Sequence, residues 1–428
     1  MAGFKTFLKS GHPPTLFAAF LYFDFCFAVW VLDGALGPFI SKEFGLTPVQ
    51  RGFMVSVPII TGALMRFPLG VISQYIGRKT VAMIEMGTII VALLYGYFYS
   101  TSYTNILIMG VMLGIAGASF GVALSLGGGW FPPEHKGLAI GIAGAGNSGA
   151  VIAMLFAPMI ALTYGWRTAF LAGVFMMLIP FFLMWFVAKE PPDREHKDLK
   201  GYLKVLYEKD AWIFNISYIL TFGGYIGLTN FLPTFLHYEY DIPLATMGKY
   251  SALIVIMASI SRIAGGFIAD RFGGLRVMLT ICAVVAVSSL AIAAHPPFYI
   301  VMGLLIILFL GLGAGNGSTF QLIPLRWIGT TAIAMSLVGE VGALGGGLVP
   351  NIMGYSKQYL GAYQYGFTVW GVLALGIFVM YMKVQRRWTT SWVGKGGKAL
   401  SHTNPMRSQI QSADEYDMLQ RQGKFYGV

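Results

Sequence analysis

The sequence predicts an all-α polytopic membrane protein: twelve transmembrane helices in two pseudo-symmetric six-helix bundles. Three observations lead there. Of the 428 residues, 56% are hydrophobic and only 11% are charged, whereas soluble globular chains carry about 25% charged residues. Apolar runs of about 20 residues, the length that crosses a bilayer as helix, recur along the chain between polar breaks. Small and polar residues of the first half return in the second at a near-constant offset of 195–196 positions.

The expected spans run over residues 15–40, 51–75, 80–100, 104–129, 137–163, 167–188, 211–236, 246–270, 276–294, 298–322, 331–355 and 363–383. Gly, Ser and Thr interrupt the runs and blur several boundaries. Residues 1–14 ("MAGFKTFLKSGHPP") form a short basic N-terminal segment without a small-residue cleavage site, so the first span is read as a retained helix. Spans 15–188 make the N-terminal bundle and spans 211–383 the C-terminal bundle. Between them lies 189–210, the one long polar interior segment, read as a cytoplasmic linker, and 384–428 is read as a polar cytoplasmic tail.

The formal net charge of +11 reports topology rather than nucleic acid. Of 29 Lys and Arg, two lie deep in spans, and with the N-terminus inside, 22 fall in cytoplasmic segments. Only Lys42, Arg51, Arg167, Lys249 and Lys357 fall outside. That asymmetry follows the positive-inside rule and puts both termini in the cytoplasm of a multi-pass plasma or inner membrane protein. Cys26 and Cys282 read as small apolar residues, with no disulfide framework or metal spacing. All six histidines lie outside the spans or at their edges, and no nucleophile–base set is visible. An enzyme is therefore the weakest class, and neither a cofactor nor a metal is expected.

The internal repeat is specific. Pro38 and Pro233 close the first and seventh spans, Gly117 and Gly121 match Gly313 and Gly317, and Gly144 matches Gly339. A parallel duplication of this kind points to a transporter of two rocking bundles with a binding site near the membrane midplane. The two arginines inside spans obey the same offset: Arg66 in "GALMRFPLG" and Arg262 in "SISRIAGGFIADRFGG". Each stands 11 residues before a glycine, Gly77 or Gly273. That is about 16 Å of helix, half the hydrocarbon thickness.

A charge at that depth costs several kcal/mol or more unless paired or hydrated, and arginine does not deprotonate. One reading has each guanidinium neutralised by a buried carboxylate or by backbone carbonyls. The duplicated positions favour an anion clamp, because the planar fork matches planar or multi-oxygen anions. The acids inside spans are Asp24, Asp33, Glu85 and Glu340. They are either proton carriers or counter-ions; Glu340, interrupting a glycine-rich face, and Asp24 are the leading proton-coupling candidates, ahead of Asp33 and Glu85. The glycine clusters "GIAGAGNSGA", "GLGAGNGSTF" and "GALGGG" permit close helix contact. They lack the Gly-Lys-Ser/Thr ending of a phosphate loop. Asn147 and Asn316 line the pathway or bridge helices.

Several strings together resemble the nitrate/nitrite porter family of the major facilitator superfamily, over roughly residues 15–383. "GFIADRFGG" (266–274) looks like the superfamily's loop between the second and third helices of a half. "GVISQYIGRK" (70–79) keeps its glycines but carries Gln74 where the acid is expected. The gating motif then comprises Gly70, Gly77 and Arg78 in one half and Gly266, Asp270, Arg271 and Gly273 in the other. "WFPPEHKGLAIGI", "AGAGNSG", "GAGNGSTFQLIP" and "GALGGGLVP" add to the resemblance.

The resemblance implies the major facilitator fold and nitrate or nitrite as cargo. It implies that Arg66 and Arg262 hold the anion, with Asn147 beside it and Phe27, Phe120, Tyr218 and Phe222 enclosing it. Tyr218 and Phe222, four apart, share a helix face. Exchangers of this family have few acids in the core, so Asp24, Asp33 and Glu340 favour proton symport. The alternatives are nitrate/nitrite exchange, transport of another small anion such as formate, and a non-transporting anion sensor. Lipid is the surrounding partner, and the chain is expected to act as a monomer.

Overall fold

The computed structural model describes residues 7–192, 205–328 and 331–400. Parts of the expected N-terminal segment (1–6), linker (193–204) and tail (401–428) lie outside the described residues, as do His196 and His402. Among the described residues all regular structure is helical. Twelve helices are long and apolar enough to cross a membrane. They are α1 Pro13–Phe44, α2 Pro48–Ile76, α3 Arg78–Tyr99, α4 Tyr103–Gly128, α5 Leu138–Tyr164, α6 Arg167–Phe186, α7 Lys209–Tyr240, α8 Leu244–Phe272, α9 Gly274–Ala293, α10 Phe298–Arg326, α11 Ile333–Leu360 and α12 Tyr365–Thr389.

Local chemistry sets the helix ends. Pro13 and Pro14 occupy the first turn of α1, where a missing N–H is harmless, and the His12 imidazole accepts the Thr15 N–H. Burial, and then Lys189 nearby, lower the His12 pKa, favouring the neutral ring that can accept. Thr47 and Gln50 form a reciprocal capping box before α2, with Pro48 at its first position. At the other end, α2 and α8 stop at Gly77 and Gly273, with φ of +95° and +97°, a backbone region open to glycine and costly for other residues.

Two expectations about proline are corrected. Pro38 and Pro233 do not close the first and seventh spans, which run on to Phe44 and Tyr240. A proline removes one hydrogen bond, and packed neighbours inside a membrane protein make that tolerable. Regularity fails elsewhere. α1 breaks at Val31, α4 tightens to a 3₁₀ turn at Ile115–Ala118, α5 does the same at Gly144–Ser148, and α7 widens to a π turn at Ile219–Gly223.

By compactness the chain forms two units. The first comprises Met1–Lys197, Gly223–Ser259 and Ala343–Gly366; the second comprises Asp198–Phe222, Ile260–Gly342 and Phe367–Val428. In the first unit α1 is central, packing on α4, α5 and α6, and its C-terminal part packs on α7. Arg51 of α2 donates to the Leu46 carbonyl (3.0 Å) and the Tyr363 hydroxyl (3.1 Å), with its guanidinium 3.8 Å from the Tyr238 ring centre. Burial pushes the Tyr363 phenol up to about 12 despite the opposing pull of Arg51, so it stays neutral. In the second unit α9 packs along α10, and α7 begins against α10. Asp210 there accepts from Arg326 Nε (3.0 Å), from Arg387 and from the Trp388 indole (2.9 Å).

The segments after α6 and α12 each return to cap a helix start. The Glu190 carboxylate accepts the N–H groups of Arg78 and Lys79, both at 2.8 Å, at the N-terminus of α3. The carbonyls of Gly397 and Gly396 accept the N–H groups of Gly274 (3.3 Å) and Arg276 (3.2 Å) at the start of α9. A carboxylate at a helix N-terminus satisfies orphan donors and opposes the helix dipole favourably. Glu190→Ala is therefore expected to cost ~1 kcal/mol, read as a lowered midpoint of thermal unfolding in detergent. An unchanged midpoint would remove this cap from the account.

Candidate functional site

In the first unit Arg66 lies eighteen residues after Pro48 and ten before Ile76 in α2. Its side chain is 8% exposed. The Nε donates to the carbonyl of Gly117 at 2.9 Å, inside the 3₁₀ turn of α4. Leaving the α-helical ladder lets such a carbonyl take a side-chain donor. Two rings flank the guanidinium, Trp30 and Phe120, each with its centre 5.6 Å away. Cation–π contacts of this kind contribute about 2 kcal/mol when desolvated. Trp30 is held by its indole N–H on the Pro58 carbonyl at 2.8 Å. Phe27 meets Trp30 edge-on at 5.5 Å and stacks on Tyr225 at 6.4 Å, while Phe120 meets Phe23 at 5.4 Å. Arg66, Phe27 and Phe120 are thus joined in one aromatic cluster.

Asn147 belongs to the same unit. It lies in the 3₁₀ turn of α5, is 3% exposed, and its Oδ1 has no hydrogen-bond partner among the described residues. Its neighbour Ser148 donates to Asp24 Oδ1 of α1 at 2.5 Å. A Cβ on Gly149 would stand on the carbonyl oxygen of Asp24, far inside contact distance. The glycines of "AGAGNSG" thus let α5 lie directly on the α1 backbone.

In the second unit Arg262 repeats the placement of Arg66: eighteen residues after Leu244 and ten before Phe272, in another 29-residue helix. Its guanidinium lies 6.0 Å from the centre of Phe320. Phe320 meets Tyr218 edge-on at 5.1 Å, and Tyr218 stacks on Phe222 at 5.2 Å with the rings 8° from parallel. Tyr218 immediately precedes the π turn of α7 and Phe222 lies within it. Gly317 of α10 faces the Arg262 backbone so closely that a Cβ would overlap its carbonyl oxygen. Glu340 of α11 is 9% exposed and accepts from Ser336 Oγ at 3.2 Å. The acids ranked lower in the sequence are more deeply buried: Asp33 and Glu85 are each 1% exposed, and Glu85 Oε2 accepts from the Tyr22 hydroxyl at 2.5 Å.

Comparison with known proteins sets this arrangement in a family. The sequence profile of the Major Facilitator Superfamily matches residues 18–350. The chain belongs to the major facilitator superfamily. Within it the chain groups with the nitrate/nitrite porters. It is 30% identical over 395 residues to the "Probable nitrate/nitrite antiporter NarK1" of Thermus thermophilus, covering 84% of this chain and 88% of that protein. It is 29% identical over 374 residues to the "Nitrite extrusion protein" of Bacillus subtilis (strain 168), covering 85% of this chain and 93% of that protein. In fold it is similar to the crystal structure of a bacterial homolog of the human lysosomal transporter Spinster, inward-facing and occupied. That match has a TM-score of 0.69 at 18% identity, over 87% of this chain and 96% of the other. As a major facilitator the chain is a multi-pass membrane transporter and not an enzyme.

The residues read as a gating motif lie near the ends of α2 and α8 and the start of α3, with different partners in the two halves. Gly70 is buried, and its carbonyl accepts from Ser73 Oγ at 2.8 Å and Gln74 Nε2 at 3.3 Å. Arg78 Nη1 donates to the Ser125 carbonyl at 3.1 Å. In the other half Gly266 is half-buried, while Asp270 and Arg271 are exposed and the Arg271 guanidinium lies 5.6 Å from the Phe272 ring.

Sequence reasoning missed Trp30 and Phe320, the rings against Arg66 and Arg262. Phe320 stands within the quoted motif "GAGNGSTFQLIP", and Trp30 closes the string "FAVW" that begins at Phe27. Trp30 is legible in retrospect, being three residues from Phe27 on one helix face. The close packing of α5 on α1 gives a direct test. Gly149→Ala is expected to destabilise by about 2 kcal/mol through overpacking, seen as a lower thermal midpoint. Gly121→Ala, facing open space, is expected to leave that midpoint in place or raise it. Equal midpoints for the two variants would refute the close approach.

Proposed function

We propose that the chain transports nitrate or nitrite by alternating access, with the anion held by Arg66 and Arg262. The observation that carries this reading is the repeated arginine. Each stands at the same position of a 29-residue helix, Arg66 between two aromatic rings and Arg262 beside one. The names of the relatives support the choice of cargo. Asn147, Phe27, Phe120, Tyr218 and Phe222 complete the binding set. The bundles 15–188 and 211–383 are the rocking bodies. Gly70, Gly77, Arg78, Gly266, Asp270, Arg271 and Gly273 form the turns that gate them, now with Trp30 and Phe320 added to the binding set.

Two guanidiniums and a monovalent anion leave a net positive site, so coupling decides how the empty protein resets. In the leading mechanism protons are co-transported on Glu340 and Asp24, and the protein works as a monomer in the cell membrane with both termini in the cytoplasm. A second reading is nitrate/nitrite exchange, favoured by the words "antiporter" and "extrusion" in the relatives' names.

Uptake into proteoliposomes under an imposed pH gradient, with and without internal nitrite, separates the two. Accumulation without internal nitrite supports symport; uptake that requires it supports exchange. Failure of nitrate and nitrite alongside uptake of formate would sink the cargo assignment.

Arg66→Lys and Arg262→Lys are each expected to lower transport by tenfold or more, roughly the ~1.4 kcal/mol of a lost charge-assisted hydrogen bond. Full activity in either lysine variant, measured as initial uptake rate, would defeat the clamp. Glu340→Gln is expected to lose uptake driven by the pH gradient while keeping anion exchange. An unaltered pH dependence would remove Glu340 from coupling.

A further inference from the structure

We propose that Asp33 of α1 is an additional proton-binding group, holding its proton in the conformation seen here. This rests on the proton-coupled reading above and deepens it by naming a residue and a stoichiometry.

The Asp33 side chain is 1% exposed, and neither carboxyl oxygen has a hydrogen-bond partner among the described residues. It lies where α2 and α4 meet. A Cβ on Gly110 would stand 3.5 Å from Asp33 Oδ2 and 3.4 Å from the Pro58 ring. Proline has no N–H and glycine no side chain, so that wall supplies no donor. A carboxylate stripped of water without donors or a cation takes up a proton rather than bear the solvation cost.

Many charged and titratable groups of the surrounding helices are engaged elsewhere, and Lys42 of α1 is exposed. On α1, Asp24 accepts from Ser148, and Glu43 pairs with Arg167 of α6 at 2.7 Å. On α2, Arg51 binds Leu46 and Tyr363, while Arg66 binds Gly117. On α3, Glu85 accepts from Tyr22, and on α4, Tyr103 donates to the Gln50 carbonyl at 3.1 Å. On α7, Glu239 pairs with Lys357 at 3.0 Å and His237 bonds the Ile242 carbonyl. α5 brings only Tyr164, which is exposed.

The cover over this end of α1 comes from α7, α11 and the segment before α12. The backbone of Asn230 in α7 lies against Gly34, the residue after Asp33. Beside it, Asn351 of α11 donates to Ser56 Oγ of α2 at 2.9 Å, and Arg51 donates to Tyr363. When α7 and α11 withdraw, water reaches the carboxyl from that membrane face and a proton is taken up there before reclosure; opening toward the other face lets the carboxyl release H⁺ to that solution as the carboxylate forms. With a proton on Asp33 beside those on Asp24 and Glu340, a monovalent anion enters with net positive charge.

The test uses the full-length chain in lipid. The infrared difference spectrum between wild type and Asp33→Asn at neutral pH is expected to contain the C=O stretch of a protonated carboxyl. Its absence overturns the proposal whatever the chain transports, as does finding the band lost in Glu85→Gln instead. The variant is also expected to move about one proton fewer per nitrate, read from the pH gradient and membrane potential that null nitrate flux. An unchanged ratio overturns the proposal. Asp33→Leu, which suits the apolar surroundings, is expected to show the same loss and serves if the Asn variant fails to fold. Nitrate counterflow absent from wild type would sink the cargo assignment, and the infrared result alone would then decide Asp33.

Discussion

Lipid offers no acceptor to a guanidinium, so a chain that buries arginine within an apolar helix must surround it with its own carbonyls and rings. Much of the first unit follows from meeting that demand at Arg66. α4 abandons α-helical geometry at Ile115–Ala118, and the Gly117 carbonyl there takes the Nε hydrogen. Trp30 is fixed by the Pro58 carbonyl so that its face lies against the charge. The prolines and glycines of these helices, poor choices for a soluble helix, supply the free carbonyls and the close backbone approach.

The departures from regular helix coincide with the residues assigned to binding. The 3₁₀ turn of α4 precedes Phe120, that of α5 contains Asn147, and the π turn of α7 follows Tyr218 and contains its stacked partner Phe222. Tightened and widened turns re-aim side chains and loosen carbonyls, which is why they gather at functional sites. The duplicated halves have also diverged in chemistry. Arg66 is held by a carbonyl and two rings, whereas the aromatic chain beside Arg262 runs through Phe320 to Tyr218. The turn at Gly77 feeds a helix capped by a carboxylate, the turn at Gly273 one capped by peptide carbonyls.

The twelve spans were legible because membrane helices announce themselves by length and apolarity, and the paired arginines because duplication preserves spacing. The Tyr218–Phe222 face followed from helical periodicity. Other features depend on packing that no single sequence displays. Pro38 and Pro233 read as span ends, since nothing in the sequence shows that neighbours let the helices continue. Trp30 and Phe320 were hidden because aromatic residues abound in membrane helices and only contact singles them out. Asp33 ranked below Glu340 and Asp24 because a sequence does not reveal which acid finds a donor. Asp24 has Ser148, Glu340 has Ser336, and Asp33 lies against proline and glycine.

The junction between Gly149 and the Asp24 backbone has a mechanical consequence. Where two helices meet backbone to backbone, no side chain lies between them to change rotamer and absorb a shift. α1 and α5 therefore slide or tilt as one lever, carrying the Asp24 carboxyl and the Asn147 amide together. A displacement of the first is carried to the second, and compliance must reside in interfaces built from side chains.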